Sequence, residues 1–256
     1  SRPCSRTAQV AQKENMVGFT REDFENIRNT LFDPDGGADA VFWLHATTAY
    51  IALRVSLELL FPTNIRGYTA QQYIVTLLHQ AALLPLCLIS WVAGLLPEAP
   101  VVVYLLTGAY LASDSLVNYT PVSGVVAGAE RKPAFSWSVH AHHVLTVVLC
   151  ALGPNLPGPL VAEGAICILL GEGGSLWITV TLLRPNPTNF LIRFYSFLIS
   201  RVLGVAIAVD IARQIESEIM RAILLAMVIG LAYDNWRTLS AMRKNAKSSG
   251  SGSWPF

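Results

Sequence analysis

Ser138-Val-His140-Ala-His142-His143-Val-Leu-Thr146-Val-Val-Leu149 sets three histidines in a run otherwise apolar enough to lie in a membrane. The chain holds five histidines in all, so this one segment carries most of its imidazole. Imidazole changes charge near neutral pH and serves as a proton carrier or metal ligand. Ionisable groups at membrane depth are costly and by default mark a functional site. The run has to be read together with the apolar segments around it.

Working outward, seven stretches reach or approach the roughly 17 to 25 residues that a bilayer-crossing helix needs: 40–60, 70–96, 100–119, 136–152, 159–183, 190–211 and 218–238. The fourth, which carries the histidines, is short and polar at its start. Helix breakers punctuate the junctions at Pro62, Pro97, Pro121, Gly153-Pro154, Pro185 and Pro187. Hydrophobic residues make up 53% of the chain and charged residues 14%, against roughly a quarter charged in soluble domains. Lys and Arg number 18 and Asp and Glu 17, so no net field favours a nucleic acid, and none is expected as a partner. No internal repeat points to an inverted-repeat transporter. Lys13, Lys132, Lys244 and Lys247 are the only lysines, and all fall outside the spans, which excludes a retinal Schiff base. Cys4 lies in the head, whereas Cys87, Cys150 and Cys167 lie in apolar runs and read as packing residues. No pair has metal-finger or redox spacing.

The fold expected is all-α, a polytopic transmembrane bundle of about seven helices. Residues 1–38 form a soluble N-terminal segment, 39–240 the membrane domain and 241–256 a flexible, Ser- and Gly-rich tail. In the head, Thr20-Arg-Glu-Asp23 is a capping signal with acids near the helix start. Phe24, Ile27 and Leu31 follow on one face, which predicts a short amphipathic helix. Asp33-Pro-Asp35-Gly-Gly-Ala-Asp39 departs from a calcium loop at Gly37 and Ala38 and reads as a turn. The opening Ser1-Arg-Pro-Cys-Ser-Arg6 is basic, hydroxyl-rich and free of acids, similar to the end of a transit peptide.

Seven spans put the termini on opposite sides. One side collects Arg66, Arg131, Lys132, Arg184, Arg193, Arg237, Arg243, Lys244 and Lys247, and the other mainly Arg213 and Arg221. The positive-inside rule then makes the C-terminus cytoplasmic or matrix-facing, with the head on the far side. The sequon Asn118-Tyr-Thr120 falls at the cytoplasmic end, where it stays unglycosylated.

On a helix, His142, Thr146 and His143 fall within an arc of about 100°, with His140 about 60° further on. All four can look into one cavity; the bland alternative bonds each imidazole to a nearby backbone carbonyl. Asp114 and Asn118, four apart, share a face of the third span. Glu172 is flanked by Gly171, Gly173 and Gly174, which admit a close neighbour, and with Ser175 and Thr179 it forms a polar stripe. An unpaired carboxylate is costly in lipid, so Asp114 and Glu172 are expected to pair with a histidine, and Arg201 is a further partner. A purely structural polar network is the competing reading. Arg54 and Glu58, four apart, are expected to pair with each other. His79 and His45 read as core contacts.

Ile74-Val-Thr-Leu-Leu-His79, Tyr110-Leu-Ala-Ser-Asp114, His142-His143-Val-Leu-Thr146 and Gly171-Glu172-Gly-Gly-Ser175 together resemble the TLC-domain membrane proteins, the family that includes the ceramide synthases. The resemblance runs over residues 70–238, and the paired histidines followed by threonine are its most specific element. It implies six or seven helices around a polar cavity that opens toward lipid. For activity it implies lipid acyl transfer, with His142 or His143 as general base and Asp114 or Glu172 orienting the imidazole. His140, Thr146, Ser175, His79, Asn118 and Arg201 would then lie against substrate. Acyl-CoA is the implied acyl donor, and membrane lipids are the partners. No metal is expected, because three ligands on one helix cannot by themselves complete a tetrahedral site. The endoplasmic reticulum is the implied location, with the mitochondrial inner membrane as alternative. The span after the paired histidines, Leu169-Leu-Gly-Glu172-Gly-Gly-Ser175-Leu-Trp-Ile-Thr-Val180, lacks the second His-Asp element of ceramide synthases. That absence favours the wider family, and with it a second reading: a non-catalytic lipid-binding or accessory subunit, in a homodimer or a larger membrane complex.

Overall fold

The computed structural model describes residues 37–65, 67–118 and 137–248, and seven helices fill most of them. These are α1 (Gly37–Leu60), α2 (Ala70–Val92), α3 (Ala99–Asn118), α4 (Trp137–Leu152), α5 (Leu160–Leu183), α6 (Pro187–Gln214) and α7 (Glu218–Ser248). The amphipathic helix expected in the head, Arg131 and Lys132, and the end of the tail lie outside the described residues. At the edges of that region two expectations change. The first helix begins at Gly37, inside the expected turn, and α7 continues to Ser248, through half of the stretch read as flexible.

Helices are what these segments must form, because lipid offers no partner for a free backbone N–H or C=O. Six of the seven, all but α4, are long and apolar enough to cross a membrane. The chain is an integral membrane protein. The 16-residue α4 is short of that length but lies antiparallel along α3. Cys150 stands against Gly108, Gly153 against the Tyr104 ring, and His143 beside Ser115. It therefore follows α3 through the bundle.

The same alternation holds elsewhere. Tyr50 meets His79 and Arg54 meets Gln71 between α1 and α2, and Thr76 meets Tyr110 between α2 and α3. Cys167 meets Gly204 and Thr181 meets Asn189 between α5 and α6. Across the bundle, His142 meets Asp234 and Leu145 stands against Gly230, so α4 and α7 are antiparallel as well.

Local signals set several ends. Gln72 Oε1 accepts from the Thr69 backbone N–H at 2.9 Å at the start of α2. Asn186 caps α6 by accepting from the Asn189 N–H at 2.8 Å, with Pro187 as the first helical residue. Between α1 and α2, β1 (Asn64–Ile65) pairs with β2 (Tyr68–Thr69), and Gly67, at φ 84°, makes the turn. Within α2, residues Leu78–Leu83 form a π-helical turn, a distortion often found at functional sites. It aims two consecutive residues at different neighbours: His79 at α1 and α3, and Gln80 at α5.

The central element is α3. In its apolar window 72% of residues are buried, against 17–28% in the other five candidate spans. Val103, Tyr104, Ala109, Tyr110 and Leu111 of α3 anchor two of the three apolar clusters. The third joins Leu160 to Ile211 and Ile215. Large side chains such as Ile89, Val92, Ile199, Val202 and Ile229 face outward, as a lipid-facing surface requires.

Packing between α5 and α6 is closest at Gly174, where a Cβ would strike the Ser200 side chain and come within 3.0 Å of the Ser196 carbonyl. Small residues at such a crossing let two backbones approach. Gly174→Ala is expected to destabilise the protein by about 1–3 kcal/mol, the usual cost of overpacking. A lowered thermal unfolding midpoint in detergent would register it, and an unchanged midpoint would show that the helices part freely there.

Candidate functional site

Polar side chains inside the bundle divide into two groups. The first ties α1, α2, α3 and α4 together. Arg54 is fully buried, and its Nη1 lies 2.9 Å from Asp114 Oδ1. The guanidinium also donates from Nη1 to Gln71 Oε1 at 3.0 Å and from Nε to Ser113 Oγ at 3.1 Å, and lies over the Tyr110 ring at 5.2 Å. Arg54 thus reaches other helices instead of pairing with Glu58 on its own, as the four-residue spacing had suggested. Asn118 donates to Asp114 Oδ1 at 2.9 Å and accepts from Gln71 at 2.6 Å. On the far side of Asp114, His143 Nδ1 lies 3.5 Å from Oδ2 and 3.4 Å from Ser115 Oγ.

His79 sits beside this group, fully buried, with Nδ1 2.9 Å from Tyr50 Oη and Nε2 3.4 Å from Thr107 Oγ1. Its ring stacks on Tyr110 at 4.3 Å, and Tyr110 Oη meets Thr76 Oγ1 at 2.8 Å. Every polar atom of this imidazole is matched by protein. His45, read from the sequence as a similar core contact, is exposed on α1.

The second group borders a partly open cavity of about 180 Å³ lined by residues of α3 to α7. Its walls are apolar, with Leu149, Ile168, Val205, Ile211, Leu224 and Val228 among them. At one end stand His142, Glu172, Arg201 and Asn235. His142 Nδ1 lies 3.4 Å from Asp234 Oδ2, an ion-pair contact without hydrogen-bond geometry. Thr146, one turn on, also lines the cavity and donates to the His142 carbonyl at 2.9 Å. Glu172 Oε2 accepts from Gln80 at 2.6 Å, so the expected histidine or arginine partner is replaced by an amide from α2. Arg201 donates from Nε to Asn235 at 3.1 Å, from Nη1 to the Gly171 carbonyl at 2.6 Å and from Nη2 to Ser175 Oγ at 2.6 Å. Its guanidinium lies 4.4 Å over the Phe197 ring.

The single inward arc expected of α4 therefore splits. His142 and Thr146 face the cavity, His143 faces α3, and His140 is not among the lining residues. Consecutive residues on a helix point about 100° apart, and α4 has α3 on one flank and the cavity on the other. Of the remaining residues singled out from the sequence, Glu172 and Arg201 join His142, and Ser175 supports Arg201 from behind. Asp114 and Asn118 belong to the Arg54 group, and His79 is enclosed apart from both. Sequence reasoning missed Asp234 and Asn235, although a carboxylate and an amide inside the last apolar span were a legible signal. Gln71 and Gln80 gave a weaker one. Tyr104, whose hydroxyl donates to the Val161 carbonyl at 3.2 Å while its ring fills the space left by Gly153 and Gly164, gave none.

Breaking the Arg54–Asp114 pair from one side should be severe. Arg54→Ala or Asp114→Leu leaves an uncompensated buried charge and is expected to cost about 3–5 kcal/mol, whereas the Arg54→Leu/Asp114→Leu double variant should lose less than either single change implies. Unfolding midpoints of the singles and the double measure this coupling, and additive losses would show that the two groups do not interact.

No family model, no curated protein and no solved structure matches the chain, so its chemistry rests on this geometry and on the motifs themselves.

Proposed function

We propose that the protein is a TLC-domain-like membrane protein that takes the acyl chain of a lipid into the α4–α7 cavity and carries out acyl transfer, with His142 as general base. The observation that carries this reading is the cavity itself: apolar walls that end on His142, with Asp234 behind its imidazole. An imidazole with a carboxylate beside it, next to an apolar channel, is suited to take a proton from an amine or hydroxyl as it attacks an acyl carbonyl. The proton moves from the nucleophile to the imidazole, the acyl bond to the donor breaks, and the leaving group recovers a proton from His142. Acyl-CoA is the donor class, and the endoplasmic reticulum the membrane, that the TLC resemblance supports; the mitochondrial inner membrane is the alternative.

One observation favours the second reading, a non-catalytic lipid-binding or accessory subunit. Only one of the paired histidines borders the cavity, and the other is taken up by Asp114 and Ser115. The variants separate the two readings. His142→Ala should reduce a lipid conversion by roughly a hundredfold to ten-thousandfold, the contribution of general acid–base catalysis, while the bundle stays folded. His143→Ala should act mainly on stability. Lipid mass spectrometry of cells that carry each variant, compared with cells lacking the gene, reads the conversion. An unchanged lipid profile with weakened assembly of a larger complex would overturn the enzymatic reading and leave the accessory one.

A further inference from the structure

Arg201 is a guanidinium at the edge of an apolar cavity with no carboxylate against it. All three of its hydrogen bonds end on neutral atoms: Asn235 Oδ1, the Gly171 carbonyl and Ser175 Oγ. Among the described residues no acidic side chain is within ion-pair distance of it. Glu172, the nearest carboxylate on α5, is turned to Gln80 of α2, and Asp234 lies beside His142. The contrast with Arg54 is direct: that arginine has Asp114 at 2.9 Å as its own counter-ion and does not line the cavity. A positive charge at membrane depth without an anion in contact is costly, and Glu172 and Asp234 act on Arg201 only from beyond ion-pair distance. Guanidinium carries five N–H groups, so two remain on Arg201, one on each terminal nitrogen. The Gly171 carbonyl and Ser175 Oγ lie 3.1 Å apart and take the inner N–H of each terminal nitrogen, so the two that remain diverge, and an anionic oxygen is the stronger acceptor for either of them. The three neutral acceptors and the Phe197 ring hold the guanidinium in place.

The cavity has the shape of a chain. It extends along α6 from Ile215 to Arg201, about 21 Å of helix rise, which exceeds the roughly 15 Å depth of one leaflet's hydrocarbon. At about 180 Å³ it is narrow for that length. A single alkyl chain matches this, and the two chains of a phospholipid do not.

We propose that the occupant is a single-chain lipid with a compact anionic head group, a carboxylate or a phosphate monoester, whose head seats on Arg201 and whose chain runs toward Ile215 and Met220. The ligand supplies the anion in direct contact that Glu172 and Asp234, at longer range, do not. This rests on the reading that the cavity takes an acyl chain, and not on the chemistry assigned to His142.

The test uses the full chain in nanodiscs of phosphatidylcholine, with labelled oleic acid, oleoyl lysophosphatidic acid and oleyl alcohol as probes. At least one of the two anions should bind tenfold or more tightly than the alcohol and raise the unfolding midpoint. Which anion does so distinguishes carboxylate from phosphate. Arg201→Gln should bring the anion down to the level of the alcohol, Arg201→Lys should keep part of the preference, and Ala208→Phe, which fills the cavity wall, should abolish binding of every probe. Equal binding of acid and alcohol that is still lost in Ala208→Phe would overturn the anionic head group while leaving the lipid cavity intact. Failure of every probe to bind the wild type would overturn the cavity reading itself. If Arg201→Gln does not fold, the wild-type ratio of anion to alcohol decides the question alone.

Discussion

Arg54 and Asp114 face each other at 2.9 Å inside the bundle, with both side chains buried. The order of the first four helices depends on that pair. A guanidinium buried this deeply has to find its partners within the protein, and those it finds come from other helices: Gln71 of α2, and Ser113 and Asp114 of α3, with Nη2 left without a hydrogen bond. Asp114 then passes the connection to α4 through His143. Breaking such a network from one side is far more costly than exchanging all of it for apolar groups. It specifies which helices adjoin as much as how firmly they hold. The choice of α3 as the central helix follows, since its Ser113 and Asp114 must be enclosed on several sides at once.

The same constraint separates structure from site. Around Arg54 and His79 the donors and acceptors meet protein partners, with Arg54 Nη2 the exception, and neither side chain lines the cavity. Around Arg201 the accounting is different, because the partners are neutral and the cavity adjoins. The two arginines thus hold different positions, and the difference lies in whether a carboxylate stands in contact with the guanidinium. The glycines sharpen this division. Gly153 and Gly164 give up their side-chain volume to Tyr104, and Gly174 gives its own to α6, and the cavity that remains is bordered by α4 to α7 and by Tyr104 of α3.

Much of the fold was legible in the chain. Apolar length and the breakers between segments suffice to define seven helices, because in lipid a helix is the only solution for a segment that must satisfy its own backbone. The pairing of Asp114 with a histidine followed from the cost of an unpaired carboxylate, and the sharing of a face by Asp114 and Asn118 followed from the helical period. Other inferences failed where local spacing competed with distant partners. Arg54 and Glu58 are placed to pair along α1, but a neutral amide, a hydroxyl and a carboxylate from two other helices hold the guanidinium instead. Glu172 was assigned a charged partner because sequence reasoning weighs formal charge, whereas the π-helical turn in α2 brings an amide to it.

The sequence by itself determined that the protein crosses a membrane as a helical bundle and that imidazoles and carboxylates lie inside it, because hydrophobic length and the rarity of buried charge are properties of the chain. It determined the arc on which His142, His143 and Thr146 lie, because a helix has one period. Only the tertiary structure decided which side of that arc meets α3 and which meets empty space, and so divided two adjacent histidines between a structural network and a cavity. It alone brought Asp234 behind His142 and Asn235 to Arg201 across more than thirty residues of chain and left Arg201 without an anion in contact. Those outcomes depend on the rotation and depth of each helix against its neighbours, which interhelical packing fixes and no local pattern encodes.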